Sequence, residues 1–203
     1  MSKIQAISPP LLQHKGLGPL HYFWGIEVAR GPKGLFLCQR KYALEIVNEC
    51  GLLGVKPADF PIEQNHKLAL AKGKELEDPT SYRRLIGRLI DLTITRPNLT
   101  YVVHILSQFM SAPKKEHMNA ARKVVHYIKG TAGQGLLLSE NSSLHLVGYY
   151  DLEWGACPIT RKSLIGYFIK LGNSLISWKT KKQNIVSRSS AEVEYRSLPF
   201  SCR

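Results

Sequence analysis

The chain has 203 residues, enough for one large domain or two small ones, and 44% of them are hydrophobic, which excludes wholesale disorder. Lys and Arg number 28 against 15 Asp and Glu; the net charge of +13 points to a polyanionic partner, most simply nucleic acid held by its phosphates, although a generically basic protein has the same composition. No apolar run approaches the roughly 20 residues of a membrane span, and Met1-Ser2-Lys3-Ile4-Gln5 lacks the apolar stretch of a secretory signal. Cys38, Cys50, Cys157 and Cys202 are scattered without a C-x-x-C pair. They read as reduced thiols of an intracellular protein, neither a disulfide frame nor a zinc site.

Residues 1–16 carry Pro9-Pro10 and no periodic pattern, and are expected to form a loose tail. Alternation then predicts a strand over Tyr22–Val28 with Tyr22, Trp24, Ile26 and Val28 on one face. Gly31-Pro32-Lys33-Gly34 is a turn signal, and Leu35–Cys38 returns as the partner strand. A helix follows from about Arg40 to Cys50, presenting Ala43, Ile46, Val47 and Cys50 together, with Gly51 placed to end it in the left-handed conformation. Residues 54–78 read as an extended linker. Asp78-Pro79 supplies an N-cap and a first-turn proline to a helix whose stripe is Tyr82, Leu85, Ile86, Leu89 and Ile90. Pro97 closes it and Asn98 is positioned to cap the next helix, whose buried side is Val102, Ile105, Leu106, Phe109 and Met110. Pro113 opens a third, buried through Met118, Ala121, Val125 and Ile128 and ended by Gly130. Its other side gathers Lys115, Arg122, His126 and Lys129 at helical spacing, either a phosphate-gripping stripe or a solvated face.

After about residue 131 the period becomes that of strands. Leu136–Leu138 and Leu144–Tyr150 come first, and the second delivers Asp151 at its end. Leu164–Leu171 and Leu175–Trp178 flank a hairpin turn at Gly172-Asn173-Ser174. The basic cluster Lys179-Thr180-Lys181-Lys182 follows, then a short Asn184–Ser187 piece and a helix opened by Ser189-Ser190-Ala191-Glu192. That last tetrad fits a capping box, with Glu192 folding back on the Ser189 amide, which leaves Glu194 free. A carboxylate at the end of a first strand and another on the first helix is how a two-metal nuclease begins its site; taken alone, Asp151 reads first as a strand-end turn residue.

With these residues laid out, the chain resembles the Pol polyprotein of copia-type LTR retrotransposons from about Leu17 to Leu198. Leu17–Val28 looks like the hairpin that follows the polymerase active site of the reverse transcriptase, with Trp24 where the family usually has Leu. Thr95-Arg96-Pro97-Asn98-Leu99, Ser107-Gln108-Phe109-Met110, Pro113, His117 and Tyr127-Ile128-Lys129-Gly130-Thr131 resemble its thumb-like helices. Gly148–Trp154, Arg161-Lys162-Ser163, Ser177-Trp178 and Ser189–Tyr195 are similar to the opening of the ribonuclease H domain.

The resemblance implies an α+β fold: 1–16 a tail, 17–130 a β-hairpin from the end of the reverse transcriptase palm with helical thumb and connection, and 131–203 a truncated ribonuclease H-like mixed sheet with one helix. It assigns Asp151 and Glu194 as vestigial catalytic residues and Mg²⁺ ligands. It also implies departures. No counterpart of the polymerase's paired aspartates precedes the hairpin, Glu153 stands where Asp is usual, and the later ribonuclease H carboxylates are expected beyond Arg203. Two-metal hydrolysis needs several carboxylates around two ions about 4 Å apart, so Mg²⁺ is expected to bind weakly and the chain to be catalytically incomplete. Lys179, Lys181 and Lys182, with Lys115, Arg122 and Lys129, are the expected contacts to an RNA–DNA hybrid or single strands. The alternatives are a retained basic binding module, or ribonuclease H activity completed by another chain.

Overall fold

The computed structural model describes residues 20–63, 66, 68–153, 162–183 and 186. Within them lie four α-helices and two antiparallel sheets, an α+β arrangement. The expected Glu194 helix and the Asn184–Ser187 piece, apart from Val186, lie outside the described residues, as does the side chain of Glu153.

The first sheet begins with β1 (Tyr22–Phe23), β2 (Ile26–Gly31) and β3 (Gly34–Cys38). The expected continuous strand is interrupted: Phe23 pairs with Ile26 across a two-residue turn in which Trp24 and Gly25 both have positive φ, 51° and 80°. Paired positive φ values match the strand twist of a tight hairpin, although a bulky residue seldom adopts them. Trp24 consequently leaves the strand face and is 88% exposed.

The fourth strand, β4 (Gly135–Ser139), pairs with β3 over Gly34↔Ser139 to Cys38↔Gly135. The change of period near residue 131 therefore does not start a new sheet; Leu136–Leu138 completes the first. The closeness of this pairing dictates glycine at both ends. A Cβ at Gly34 would lie 2.0 Å from the Leu138 carbonyl oxygen, and one at Gly135 2.1 Å from that of Leu37.

Helix α1 (Arg40–Glu49) buries Ala43, Ile46 and Val47. It ends as expected at Gly51, φ 69°. The Gly51 N–H donates to Asn48 O and the Leu52 N–H to Val47 O, the two bonds that satisfy carbonyls left over at a helix end. Residues 71–76 are not a free linker: they are stitched to the start of α4 (Lys115–Gly130) by Leu76 N–H to Pro113 O and Gly73 N–H to the Glu116 carboxylate.

Helix α2 (Pro79–Leu92) is capped by Asp78, whose carboxylate accepts from the Thr80 and Ser81 amides; those bonds hold it below its ordinary pKa. Its buried stripe ends on Leu92; Ile90 is exposed. The Tyr82 hydroxyl donates to Leu106 O, and burial pushes its pKa upward. Helix α3 (Thr100–Ser107) follows a 3-10 turn, Pro97–Leu99, and stops before Phe109 and Met110. These helices and α4 share one core built on Ile46, Tyr82, Ile86, Leu89, Leu106 and Ile128.

Asn98 does not cap α3, because a buried arginine claims it. Arg96 is 1% exposed. Its Nε donates to Asn98 Oδ1 at 3.2 Å, its Nη1 to Thr131 O at 2.8 Å and its Nη2 to Thr131 Oγ1 at 2.8 Å. Beside it, the Thr95 hydroxyl donates to Gln39 Oε1 just ahead of α1. The segments Thr95–Leu99 and Tyr127–Thr131 are thus one latch. A buried guanidinium is tolerable only when its donors are paired.

The second sheet is β5 (Leu146–Glu153), β6 (Leu164–Leu171) and β7 (Ser174–Lys182) in that order, antiparallel throughout. Leu171 pairs with Ser174 across Gly172-Asn173, with Gly172 at φ 54°. β7 runs on past Trp178 through the basic cluster to Lys182.

Replacing Arg96 with Ala removes two hydrogen bonds from a charged donor to Thr131 and opens a cavity. The expected loss is about 3 kcal/mol, read as a lower urea midpoint at unchanged m-value; a midpoint equal to that of the parent chain would refute the latch.

Candidate functional site

Asp151 sits on β5, paired with Gly166 of β6, which pairs with Thr180 of β7. Directly paired residues share a face, so two positions back Tyr149, Phe168 and Trp178 form a row across the three strands. The rings of Tyr149 and Phe168 stack at 4.8 Å with 20° between planes.

The same face is turned toward the helices. The Trp178 indole N–H donates to Thr93 O at 3.1 Å, and the Lys182 ammonium to Gln108 Oε1 at 2.9 Å. Between these anchors opens a groove of about 710 Å³, walled on one side by Pro97, Thr100 and Tyr101 and on the other by the sheet. Asp151 is the only carboxylate in its described lining, and Lys170 and Lys179 supply the positive charge. A Cβ at Gly166 would meet nothing within 4 Å, so the space beside Asp151 stays open on that side.

The carboxylate of Asp151 is exposed and accepts the Leu152 N–H at 2.9 Å. Among the described residues no three His, Cys, Asp or Glu side chains converge as metal ligands, and Glu194 lies outside them. The described residues by themselves do not fit a two-metal cage, which needs several carboxylates.

The basic candidates divide. Lys179 and Lys181 are exposed on β7; β7 is the edge strand of its sheet, and Lys179 borders the groove there. Lys182 is half-buried and tied to Gln108, so it fastens the sheet to the helices instead of facing a phosphate. On α4, Lys115 and Arg122 are exposed. Lys129 is occupied: its ammonium donates to the carbonyls of Leu53 and Val55, which lack strand or helix partners after α1. Trp178 is partly buried and hydrogen-bonded, a packing residue as its neighbours imply.

Tyr101, Tyr149, Phe168 and Lys170 were not singled out by sequence reasoning. The alternation of β6 does place Phe168 and Lys170 on the face of Gly166. The opposite wall, however, comes from α3, more than sixty residues earlier, and no local pattern announces that meeting.

No family model matches the chain, and no solved structure matches it. Curated proteins do. An uncharacterized mitochondrial protein of Arabidopsis thaliana is 42% identical over 189 residues, covering 92% of this chain and 78% of that protein. The retrovirus-related Pol polyprotein from transposon RE2 of the same plant is 44% identical over 179 residues, 88% of this chain but 12% of the polyprotein. The corresponding polyprotein from transposon TNT 1-94 of Nicotiana tabacum is 30% identical over 192 residues, 89% of this chain and 14% of its own length. The chain therefore spans only a small part of the polyproteins it matches.

Two histidines of the helical unit sit in surroundings that favour the neutral ring. His117 Nδ1 accepts the Lys114 N–H at 3.0 Å, so its proton is on Nε2, 3.0 Å from Leu68 O, and the ring stacks on Phe109 at 3.9 Å. Among the described residues His104 Nε2 is buried with no hydrogen-bond partner. Desolvation lowers both pKa values from the ordinary 6.5; Lys182 lowers that of His104 further, while the bond to Leu68 O partly offsets the shift at His117. The unfolded chain then takes up protons below pH 6.5 that the folded chain refuses, so stability is fully present above that pH and is lost as pH falls below it. Urea midpoints are expected to be level from about pH 8 to 7 and to fall between pH 6.5 and 5. The double variant His104→Gln, His117→Gln is expected to flatten the fall; an identical slope would contradict the assignment.

Proposed function

Because the chain belongs to the family of retrovirus-related Pol polyproteins of transposons, we propose that it is the segment of such a protein running from the end of the reverse transcriptase palm, through the thumb, into the opening of the ribonuclease H domain. In this reading it binds nucleic acid, RNA–DNA hybrid first, through phosphate contacts that position the duplex without reading its sequence. The observation that carries it is the second sheet, where Asp151 borders an open groove and Lys179 and Lys181 stand exposed on the same three strands. With Lys182 and Lys129 occupied by protein partners, the reading rests its phosphate contacts on Lys115, Arg122 and Lys179.

Chemistry by the chain alone is not expected. Beyond residue 131 the sequence holds Glu140, Asp151, Glu153, Glu192 and Glu194 as its carboxylates. Glu140 pairs at the far end of the first sheet through its amide to Lys33 O, and Glu192 fits the capping box. Asp151 and Glu194 then remain as the family's ligand positions, with Glu153 one methylene longer than usual. A Mg²⁺ held by two carboxylates keeps most of its water and binds weakly.

Hybrid binding is expected to weaken steeply with salt, and Lys179→Gln to reduce the log–log slope by about 1; a flat salt response removes the reading. In Mg²⁺ the chain alone is expected to leave a labelled hybrid intact. Robust cleavage that disappears in Asp151→Asn would overturn the inactivity, and cleavage restored only by a second polypeptide would point to a site completed in trans.

A further inference from the structure

The groove between α3 and the second sheet is shaped and lined for flat rings. Tyr149 and Phe168 are 50% and 40% exposed although their rings already stack on each other, so the pair presents further aromatic surface. Tyr101 faces the cavity from the α3 wall and is 38% exposed. The volume of about 710 Å³ falls within the ~300–1,000 Å³ of small-ligand sites, large enough for bases and too small to admit a duplex. Thr100 Oγ1, in the same wall, is buried without a hydrogen-bond partner among the described residues.

We propose that this groove takes one or two unpaired bases of an RNA or DNA strand, stacked on Tyr149 and Phe168, with the strand's phosphates directed to Lys170 and Lys179. The inference rests on the nucleic-acid reading above and adds to it a site for single-stranded sequence beside the duplex. Charge selects this occupant over an apolar peptide. Neither Lys170 nor Lys179 has an ion-pair partner among the described residues, and a peptide's side chains would leave both unanswered where phosphates would pair with them. Asp151, the one carboxylate in the described lining, repels phosphate and so confines the backbone to the lysine side. Stacking is tolerant of sequence, because every base has an aromatic face.

The test uses the 203-residue chain with a fluorescein-labelled oligo-dT 12-mer, an abasic 12-mer of the same charge, and a blunt RNA–DNA hybrid. The oligo-dT is expected to bind at least several-fold tighter than the abasic strand. Tyr149→Leu is expected to weaken oligo-dT binding by about tenfold, the scale of one stacked base, while Tyr149→Phe restores it and hybrid affinity changes less than twofold. Tyr101→Leu, on the opposite wall, is expected to weaken oligo-dT binding in the same direction, with circular dichroism confirming that each variant is folded. Equal binding of abasic and oligo-dT strands, or Tyr149→Leu and Tyr101→Leu both binding oligo-dT like the parent, would overturn the groove site. If hybrid binding persists in that case, only this inference falls. If neither hybrid nor single strand binds at low salt, the nucleic-acid reading falls with it.

Discussion

A guanidinium sealed inside the helical unit sets the geometry of everything around it. Arg96 carries its charge in the interior, where an unpaired charge would be far too costly, and the neighbouring chain is arranged to meet its donors. Thr131, one residue past α4, accepts twice, and Thr131 in turn donates to Tyr127 O, one turn back on that helix. Asn98 receives the third donor and passes a hydrogen bond of its own to the Tyr127 hydroxyl. Next to it Thr95 reaches Gln39 at the head of α1. A single junction between α2 and α3 therefore fixes the C-terminal end of α4 and the N-terminal end of α1. Pro97, Thr100 and Tyr101 follow immediately, so the wall of the groove inherits its position from the latch.

The parts of the fold that were legible in the sequence are those whose cause is local. Asp78-Pro79, Gly51 and the Gly172-Asn173 turn each act within a few residues, and each does what its chemistry implies. The helical stripes were readable because burial follows a period of 3.6 residues. The misreadings have distant causes. Trp24 continued an alternating pattern, but the hairpin it occupies needs two residues of positive φ and takes it out of the strand. Asn98 had the composition of a cap and is claimed by Arg96. Lys129 and Lys182 had the spacing of a phosphate-binding surface, but carbonyl and amide oxygens from other parts of the chain lie nearer. For the site, a strand leading to Asp151 was legible, although β5 runs on to Glu153; the aromatic surface beside it was not, since its two walls come from elements far apart in sequence.

Specific hydrogen bonds tie the second sheet to the rest of the described chain. Trp178 to Thr93, Lys182 to Gln108 and Ser139 N–H to Ser174 Oγ join the second sheet to α2, to the residue after α3 and to the first sheet respectively. Each uses a polar group that would otherwise be partly buried and unpaired, so hydrogen bonding helps to specify the orientation. Lysine in this protein consequently has two occupations. Some ammonium groups fasten segments of the chain to one another, and others stay in water. Only the second kind is available to a polyanion, so the overall surplus of positive charge overstates the surface that can bind one.

The pairing of β3 with β4 has a consequence for how the chain can be assembled or divided. Cys38 and Gly135 are adjacent in space while the whole helical unit lies between them in sequence, so closing that sheet is a long-range event, entropically slow, that the local hairpin cannot perform early. During synthesis the outer rim of β3 must wait, uncovered, until a strand roughly a hundred residues later has emerged. Any recombinant fragment cut at the end of α4 would keep that rim permanently bare, a ready template for intermolecular strand addition. The natural place to part the molecule lies after Ser139, where the chain has finished one sheet and not yet entered the other.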